Sequence, residues 1–450
     1  MSQLPSNWEF LKLQTIATLK TGPFGSALHK ADYIAGGIPL INPTHVKDGK
    51  LFPSADISVS PETAQRLTEY RLNAGDIVMG RRGEMGRCAV VPEYAQNWIC
   101  GTGSVIVKST PAINPRYLQK FLTAPGTVAT LIGDSVGSTM VNLNQGVLLG
   151  LDIPLAPLAE QKRIADKLDS VLARVDACRD RLDRLPALLK RFRQSILAAA
   201  TSGKLTEDWG TEKQSNRRST PLKTSLLSIK TGPFGSTLHK SDYVLNCIPI
   251  INPMHIVDGC IIPSPSMTVD SRTAERLADF KLSEGDVVIG RRGEMGRCAV
   301  VTKNEDGWLC GTGSMILKPS RLLESKYLQL FLSSPETVTA LEGESVGSTM
   351  VNLNQKILLG LDIYLPTVEE QLEIVRRVET LFAFADRLEA RLSSARAQVD
   401  KLTPALLAKA FRGELVPQDP ADEPASELLK RLSAARADAP KPKRGRSAAR

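Results

Sequence analysis

Arg81, Arg82 and Arg87 crowd one glycine-rich stretch, Arg81-Arg-Gly-Glu-Met-Gly-Arg87, and the run Arg81 to Val90 returns unchanged as Arg291 to Val300, with Arg291, Arg292 and Arg297 in the same places. A guanidinium is a planar fork matched to phosphate oxygens or to the O6 and N7 edge of guanine, and glycine lets the backbone approach such a surface. One arginine pair on a loop is ordinarily just solvated. Its intact return points to contact with DNA, because idle loops are free to diverge. The same argument marks Lys20, Thr21, Ser26, His29 and Lys30, in and after Lys20-Thr-Gly-Pro-Phe-Gly-Ser26, which return as Lys230, Thr231, Ser236, His239 and Lys240. It also marks Ser138, Thr139, Asn142 and Asn144, which return as Ser348, Thr349, Asn352 and Asn354. Asparagine is matched to adenine N6 and N7, although capping and turn formation are equally open for these polar residues.

Asn42 and His45, with their copies Asn252 and His255, complete the candidate DNA-binding set. All four histidines fall in repeat pairs, and DNA contact and structural hydrogen bonding stay equally open for them. Asn42-Pro-Thr-His45 begins like an adenine-methyltransferase motif but lacks the second proline and the aromatic that would stack on a flipped base, so it reads as a turn. Phe24 and Phe234, each between Pro and Gly, are expected to plug the core in preference to serving as stacking aromatics. No catalytic constellation emerges. Thr201-Ser-Gly-Lys204 lacks the rest of a phosphate-binding loop, and Gly101-Thr-Gly103 does not extend to GxGxxG. The seven cysteines show no CxxC spacing, which argues for reduced, mostly buried thiols and against a zinc site or a disulfide framework.

These loops must be held by elements, and the elements are duplicated. Lys20 returns as Lys230, Cys100-Gly-Thr-Gly-Ser104 as Cys310 to Ser314, and Ser135 to Gln145 as Ser345 to Gln355, always 210 positions on. Two copies of so long a unit make a domain duplication, not a solenoid. Within a copy, short apolar runs such as Asp76-Ile-Val-Met79 and Ser104-Val-Ile-Val-Lys108 are separated by Gly, Pro and Asp turns and read as strands, while Asn114-Pro115 reads as an N-cap and first turn of a helix. A heptad stripe follows: Ile164, Leu168, Val171, Val175, Cys178, Leu182, Leu185, Leu189, Phe192 and Ile196. Its copy runs through Ile374, Val378, Leu381, Ala385, Leu388, Leu392, Ala395, Val399, Leu402 and Leu406.

Two stripes in one chain predict an intramolecular antiparallel coiled coil, with pairing between two chains as the blander alternative. Such a pair would set the two globular domains at opposite ends about an approximate twofold axis, and the span Ile164 to Ile196, about 50 Å at 1.5 Å per residue, would act as a ruler on DNA. Pro186 and Pro404 are expected to kink the helices without ending them, and Gly203 and Gly413 to stop them.

Composition agrees with a polyanionic partner. The net charge is +9, although the tail Lys441 to Arg450 carries five of those charges. With no apolar run long enough for a membrane span and no signal-peptide pattern at Met1 to Leu19, the chain is expected to be cytoplasmic.

In order, Gly75-Asp-Ile-Val78, Arg81-Arg-Gly83, Gly86-Arg87, Gly101-Thr-Gly-Ser104, Gly137-Ser-Thr139 with Asn142-Leu-Asn144, Ile153-Pro-Leu155 and Glu160-Gln161 resemble the specificity subunits of Type I restriction-modification systems. The second half repeats the pattern from Gly285-Asp-Val-Val288 to Glu370-Gln371, so the resemblance covers essentially the whole chain. It implies an α+β chain with two tandem mixed α/β target recognition domains, each followed by a long helix. The expected division is 1–157 and 206–367 for the recognition domains, the latter with its linker, 158–205 and 368–415 for the helices, and 416–450 for a flexible basic tail in which Ala425 to Ala437 could form a short helix. The resemblance further implies a non-catalytic subunit that docks two adenine-N6 methyltransferase subunits and, with them, restriction subunits. S-adenosylmethionine, ATP and magnesium would then belong to the partners. One departure stands out: the family's two domains are commonly dissimilar, whereas here they are near copies, which predicts a near-palindromic target. A generic architectural DNA-binding protein remains the alternative.

Overall fold

The computed structural model describes residues 4–133, 143–209, 219–343 and 353–437. It divides into two compact units, 1–181 with 395–450 and 182–394, and both cuts fall inside long helices. Each unit therefore combines one mixed domain with a portion of each helix, where the sequence suggested separate helical segments.

In the first unit, four strands pair antiparallel in the order Ala17–Thr21, Ser104–Ser109, Ile77–Gly80, Cys88–Val90. Successive side chains point to opposite faces, and both faces are covered, which is why these strands read as unbroken apolar runs. Ile77, Met79, Val105 and Val107 pack toward helix Pro115–Leu122 and toward Ile164 and Leu168. Val78, Ala89 and Ile106 pack on the other face against Ile41, Val46 and Cys100. A second four-stranded sheet, in the order Ile99–Cys100, Ile38–Ile41, Ser58–Val59, Tyr33–Ile34, contains one parallel pair. Asn114 caps its helix as expected, its side chain accepting from Arg116 N at 3.0 Å and Tyr117 N at 3.2 Å.

The second unit repeats these sheets strand for strand. One irregularity precedes Lys230: Thr231 pairs with Met315 as Thr21 does with Val105, but Leu226 takes the place of Ala17, 209 positions on. The extra residue falls in a bulge at Leu227, between Leu226 and Ser228.

The long helices run Leu158–Thr201 and Val368–Phe411, through Pro186 and Pro404 without interruption. Gly203 and Gly413 follow them with φ of 76° and 75°, the left-handed conformation of a helix stop. Pairing is antiparallel within each unit. In the first, Arg179 meets Asp400 at 3.4 Å while the earlier Arg163 meets Asp422, past the end of the second helix, at 2.6 Å. In the second, Arg193 bonds Asp386 at 2.5 Å and Arg377 reaches back to Asp208 at 2.5 Å. Glu160-Gln161 and Glu370-Gln371 fasten the helix starts. Gln161 accepts from Asn114 N at 2.8 Å and Gln371 from Glu324 N at 2.7 Å. Glu160 binds Trp8 Nε1 at 2.9 Å and Gln418 at 2.6 Å, and burial raises its carboxyl above the usual range.

Two expectations need correction. Along the proposed seam Ile164, Leu168, Val175, Leu189, Ile374, Val378 and Leu392 are buried, and Val171, Leu182, Leu381, Leu388 and Val399 half-buried, but Leu185 and Leu402 are exposed, as are Cys178 and Phe192. A straight α-helix of 3.6 residues per turn drifts out of a 3.5-residue stripe, so Leu407, Ala410 and Ala200 take the inner positions instead. The tail also docks. Helix Ala425–Ala437 buries Ala425 and Leu428 in the first core, and Ala425 N donates to Asn7 O at 3.0 Å. The short helix at Ala425 to Ala437 matches the sequence reading, and its docking on the first core is what that reading lacked. Cys88, Cys100, Cys298 and Cys310 are buried, whereas Cys178, Cys247 and Cys260 are exposed.

Candidate nucleic-acid interface

Strand register gathers the candidate loops of a unit at one sheet end. Thr21 pairs with Val105 and Gly80 with Ser104, so the chain after Thr21, the chain after Gly80 and the turn before Ser104 all emerge together. Hydrogen bonds then knit them. Gly22 N donates to Ser104 O at 2.9 Å, Arg81 N to Gly103 O at 2.8 Å, and Thr102 Oγ1 to Pro23 O at 2.9 Å. Leu143 N donates to Arg81 O at 2.9 Å while Arg81 Nε donates to Leu143 O at 3.2 Å, and Gln145 Nε2 donates to Thr21 Oγ1. The second unit repeats the ties: Arg291 Nε to Leu353 O at 3.1 Å and Gln355 Nε2 to Thr231 Oγ1 at 3.1 Å.

Glycine makes the close approach possible. A Cβ on Gly22 would stand 2.1 Å from Gly101 O, and one on Gly232 1.9 Å from Gly311 O. Backbone cannot swing aside as a side chain does. Gly22→Ala and Gly232→Ala are therefore each expected to cost about 1–3 kcal/mol and to weaken binding by displacing the loop, which chemical denaturation alongside DNA titration would measure.

Charge at this end is basic with local acidic counterparts. Lys20 Nζ bonds Glu69 at 2.5 Å and lies 5.1 Å from the Tyr70 ring centre; Lys230 repeats this with Asp279 at 3.0 Å and Phe280 at 5.4 Å. Arg87 pairs with Glu84, and Arg297 with Glu294 at 2.7 Å while also donating to Pro253 O at 3.3 Å. Arg82 and Arg292 are exposed and have no ion-pair partner among the described residues. Ser26, His29, Lys30, His239 and Lys240 are exposed too, the histidine backbones donating to Asp32 at 2.7 Å and Asp242 at 2.8 Å. Asn144 and Asn354 are exposed helix caps, accepting from Gly146 N at 2.8 Å and Ile357 N at 3.0 Å. Ser138, Thr139, Asn142, Ser348, Thr349 and Asn352 lie outside the described residues, as does the Ser236 side chain.

Other candidates turn inward. His45 and His255 are buried, with Nδ1 3.2 Å from Asn42 N and from Asn252 N respectively, so neither ring reaches a groove. Asn42 and Asn252 go with them: their Oδ1 atoms occupy the space where a Cβ of Gly101 or Gly311 would sit. The two histidines are corrected from DNA contacts to buried residues, while Asn42 and Asn252 are half-buried and Asn252 Oδ1 accepts from Gly313 N of the Gly-Thr-Gly-Ser turn at 3.3 Å. Burial holds both imidazoles below their ordinary value despite the opposing effect of the Leu40 and Ile250 carbonyls. The unfolded chain then binds more protons in acid, and stability rises with pH. This contribution is full above about pH 6.5 and lost as pH falls below it. Melting temperature is expected to drop between pH 7 and pH 5.5, with a shallower slope in a His45→Gln, His255→Gln variant.

Phe24 and Phe234, expected in the core, are 71 % and 68 % exposed. Gly22 and Gly232 pack so close to the neighbouring turn that the next residues are carried outward past it. Sequence reasoning also missed Gln145, Thr102 and Glu69. The first two return as Gln355 and Thr312, which was the available signal. Among the described residues, no group of three or more His, Cys, Asp or Glu is placed to hold a metal ion, and no helix is long and apolar enough to cross a membrane.

Two like domains each carry the same knitted, basic loop cluster at one sheet end. The family model described as the Type I restriction modification DNA specificity domain matches residues 5–187 and 229–395, and the chain belongs to that family as a specificity subunit, not an enzyme. It is 30 % identical to the EcoKI specificity subunit of Escherichia coli K12 over 466 residues, covering 97 % of both chains, and 29 % identical to the StySPI specificity subunit of Salmonella potsdam, covering 97 % and 96 %. In fold it is similar to the HsdS subunit of Thermoanaerobacter tengcongensis, with a TM-score of 0.62, 21 % identity and coverage of 92 % of this chain and 98 % of that one.

Proposed function

We propose that this chain reads a bipartite DNA target, one half-site per recognition domain, and that the half-sites are inverted near copies separated by a fixed non-specific gap. The observation that carries this is the repeat of the loop cluster: Lys20 to Ser26, Arg81 to Arg87 and Asn144-Gln145 keep their residues in the second unit, and the Arg81–Leu143 and Gln145–Thr21 hydrogen bonds recur as Arg291–Leu353 and Gln355–Thr231. Like readers select like sequences. Phosphate contacts from the cations would position the protein, and base-edge contacts from the forked arginines and polar side chains would specify.

In the same reading the chain docks two adenine-N6 methyltransferase subunits and, through them, ATP-dependent restriction subunits. S-adenosylmethionine, ATP and magnesium would bind those partners, and the complex would act in the cytoplasm. The test is selection from a random duplex library with and without the methyltransferase partner at a stated salt concentration. Enrichment of two inverted, related half-sites at one spacing is the expected result; tight binding without any motif, unaffected by the partner, would overturn it.

A further inference from the structure

The two most exposed phenylalanines of the recognition domains are copies of one another. Surface residues elsewhere have drifted between the copies: exposed Phe52 is matched by Ile262, Tyr94 by Asn304, and Lys47 by Val257. Phe24 and Phe234 have not, and the flanking Lys-Thr-Gly-Pro and Gly-Ser are retained with them. A large apolar ring left in water gains nothing for the fold, so retention in both copies points to something that covers it.

The loop is also stiff. Proline precedes each ring, the peptide before it is held to the sheet by Gly22 N to Ser104 O at 2.9 Å and Gly232 N to Ser314 O at 3.0 Å, and glycine follows with φ of 59° and 63°. Both phenylalanines have the same extended backbone, φ −148° and ψ 164° against φ −145° and ψ 165°. A ring presented in one fixed posture loses little entropy on binding. Its surroundings indicate what it meets. Phe24 shares a groove of about 760 Å³ with Lys20, Arg81, Asn144 and Gln145, so cations and amides stand beside an unpaired apolar face. That combination suits a duplex, whose backbone takes the cations and whose stacked bases take the ring.

We propose that Phe24 and Phe234 are wedges that stack on a base step in each half-site, partly unstacking it, as apolar side chains do in proteins that deform DNA. This rests on the DNA-reading function proposed above. It adds a positioning contact indifferent to hydrogen-bond pattern, common to both half-sites, and dependent on how easily the local step opens.

The test uses the full chain in complex with its methyltransferase partner, on the selected duplex carrying 2-aminopurine in turn at each purine other than the methylated adenine. Wild type is expected to raise fluorescence at one step per half-site. Phe24→Ala and Phe234→Ala are each expected to lower affinity about 10-fold and to silence their own half-site, with the double variant falling about 100-fold. The salt dependence of binding stays the same, because no phosphate contact is lost, and Phe24→Leu keeps part of the signal. Tyr94→Asn, which installs the residue of the other copy, binds as wild type.

Wild-type affinity and fluorescence in the double variant would overturn the wedge while leaving the DNA reader standing. Loss of the methyltransferase subunit on gel filtration, with DNA binding intact, would reassign the rings to a protein interface. Absence of any sequence-selective binding by wild type would overturn the reader, and the wedge with it.

Discussion

Replacing Arg82 and Arg292 together by alanine is expected to lower affinity for the specific duplex about 100-fold while changing folding stability by less than about 0.5 kcal/mol. Both guanidiniums are exposed at the loop cluster, with no ion pair among the described residues to lose. Arg81 and Arg291 differ, since each bonds the chain at Leu143 or Leu353 and its removal would loosen the cluster itself. Two charge-assisted contacts at about 1–3 kcal/mol each account for the factor. The slope of log affinity against log salt separates the two roles a guanidinium could play. A fall of about two units assigns phosphate contacts, whereas an unchanged slope with relaxed base preference assigns base contacts. Unchanged affinity would remove these arginines from the interface.

The second large effect lies far from the loops. Leu168→Asp is expected to destabilise the first unit by more than about 4 kcal/mol, because Leu168 on the long helix is fully buried in the core it shares with Tyr117, Leu118 and Leu407, and an isolated carboxylate there has no partner. Leu185→Asp, on the same heptad stripe, is expected to cost less than about 1 kcal/mol, because Leu185 is 38 % exposed. Denaturant unfolding of the two variants distinguishes the drifting helix pair from an ideal coiled coil, in which both would be severe.

The contrast shows what was legible in the chain. The repeat, the strands around Asp76 to Met79, the Asn114 cap and the long helices all follow from local rules: alternation, capping side chains and glycine stops. Those rules also located the loops that meet at one sheet end. Which loop residues face out depended on packing that no local rule contains. His45 and Asn42 look like groove-reading polar residues until the Gly101 turn is seen resting on Asn42. Phe24 looks like a core plug until Gly22 is seen pressed against Gly101. The seam misled for a different reason, since an apolar stripe of period 3.5 is shared by a supercoil and by a straight helix whose buried face changes along its length. Docking of Ala425–Ala437 rests on burial of Ala425 and Leu428 against residues more than 200 positions away, with the Arg163–Asp422 pair beside it, and sequence spacing does not announce such long-range contacts.

Mapping N6-methyladenine in genomic DNA from cells that express this chain with its methyltransferase partner puts the duplicated-reader account to its most direct test. The expected result is one methylated motif whose two halves are inverted near copies at a single fixed spacing. Two unrelated half-sites would show that retained loops in the two domains do not read related sequences, and would contradict it.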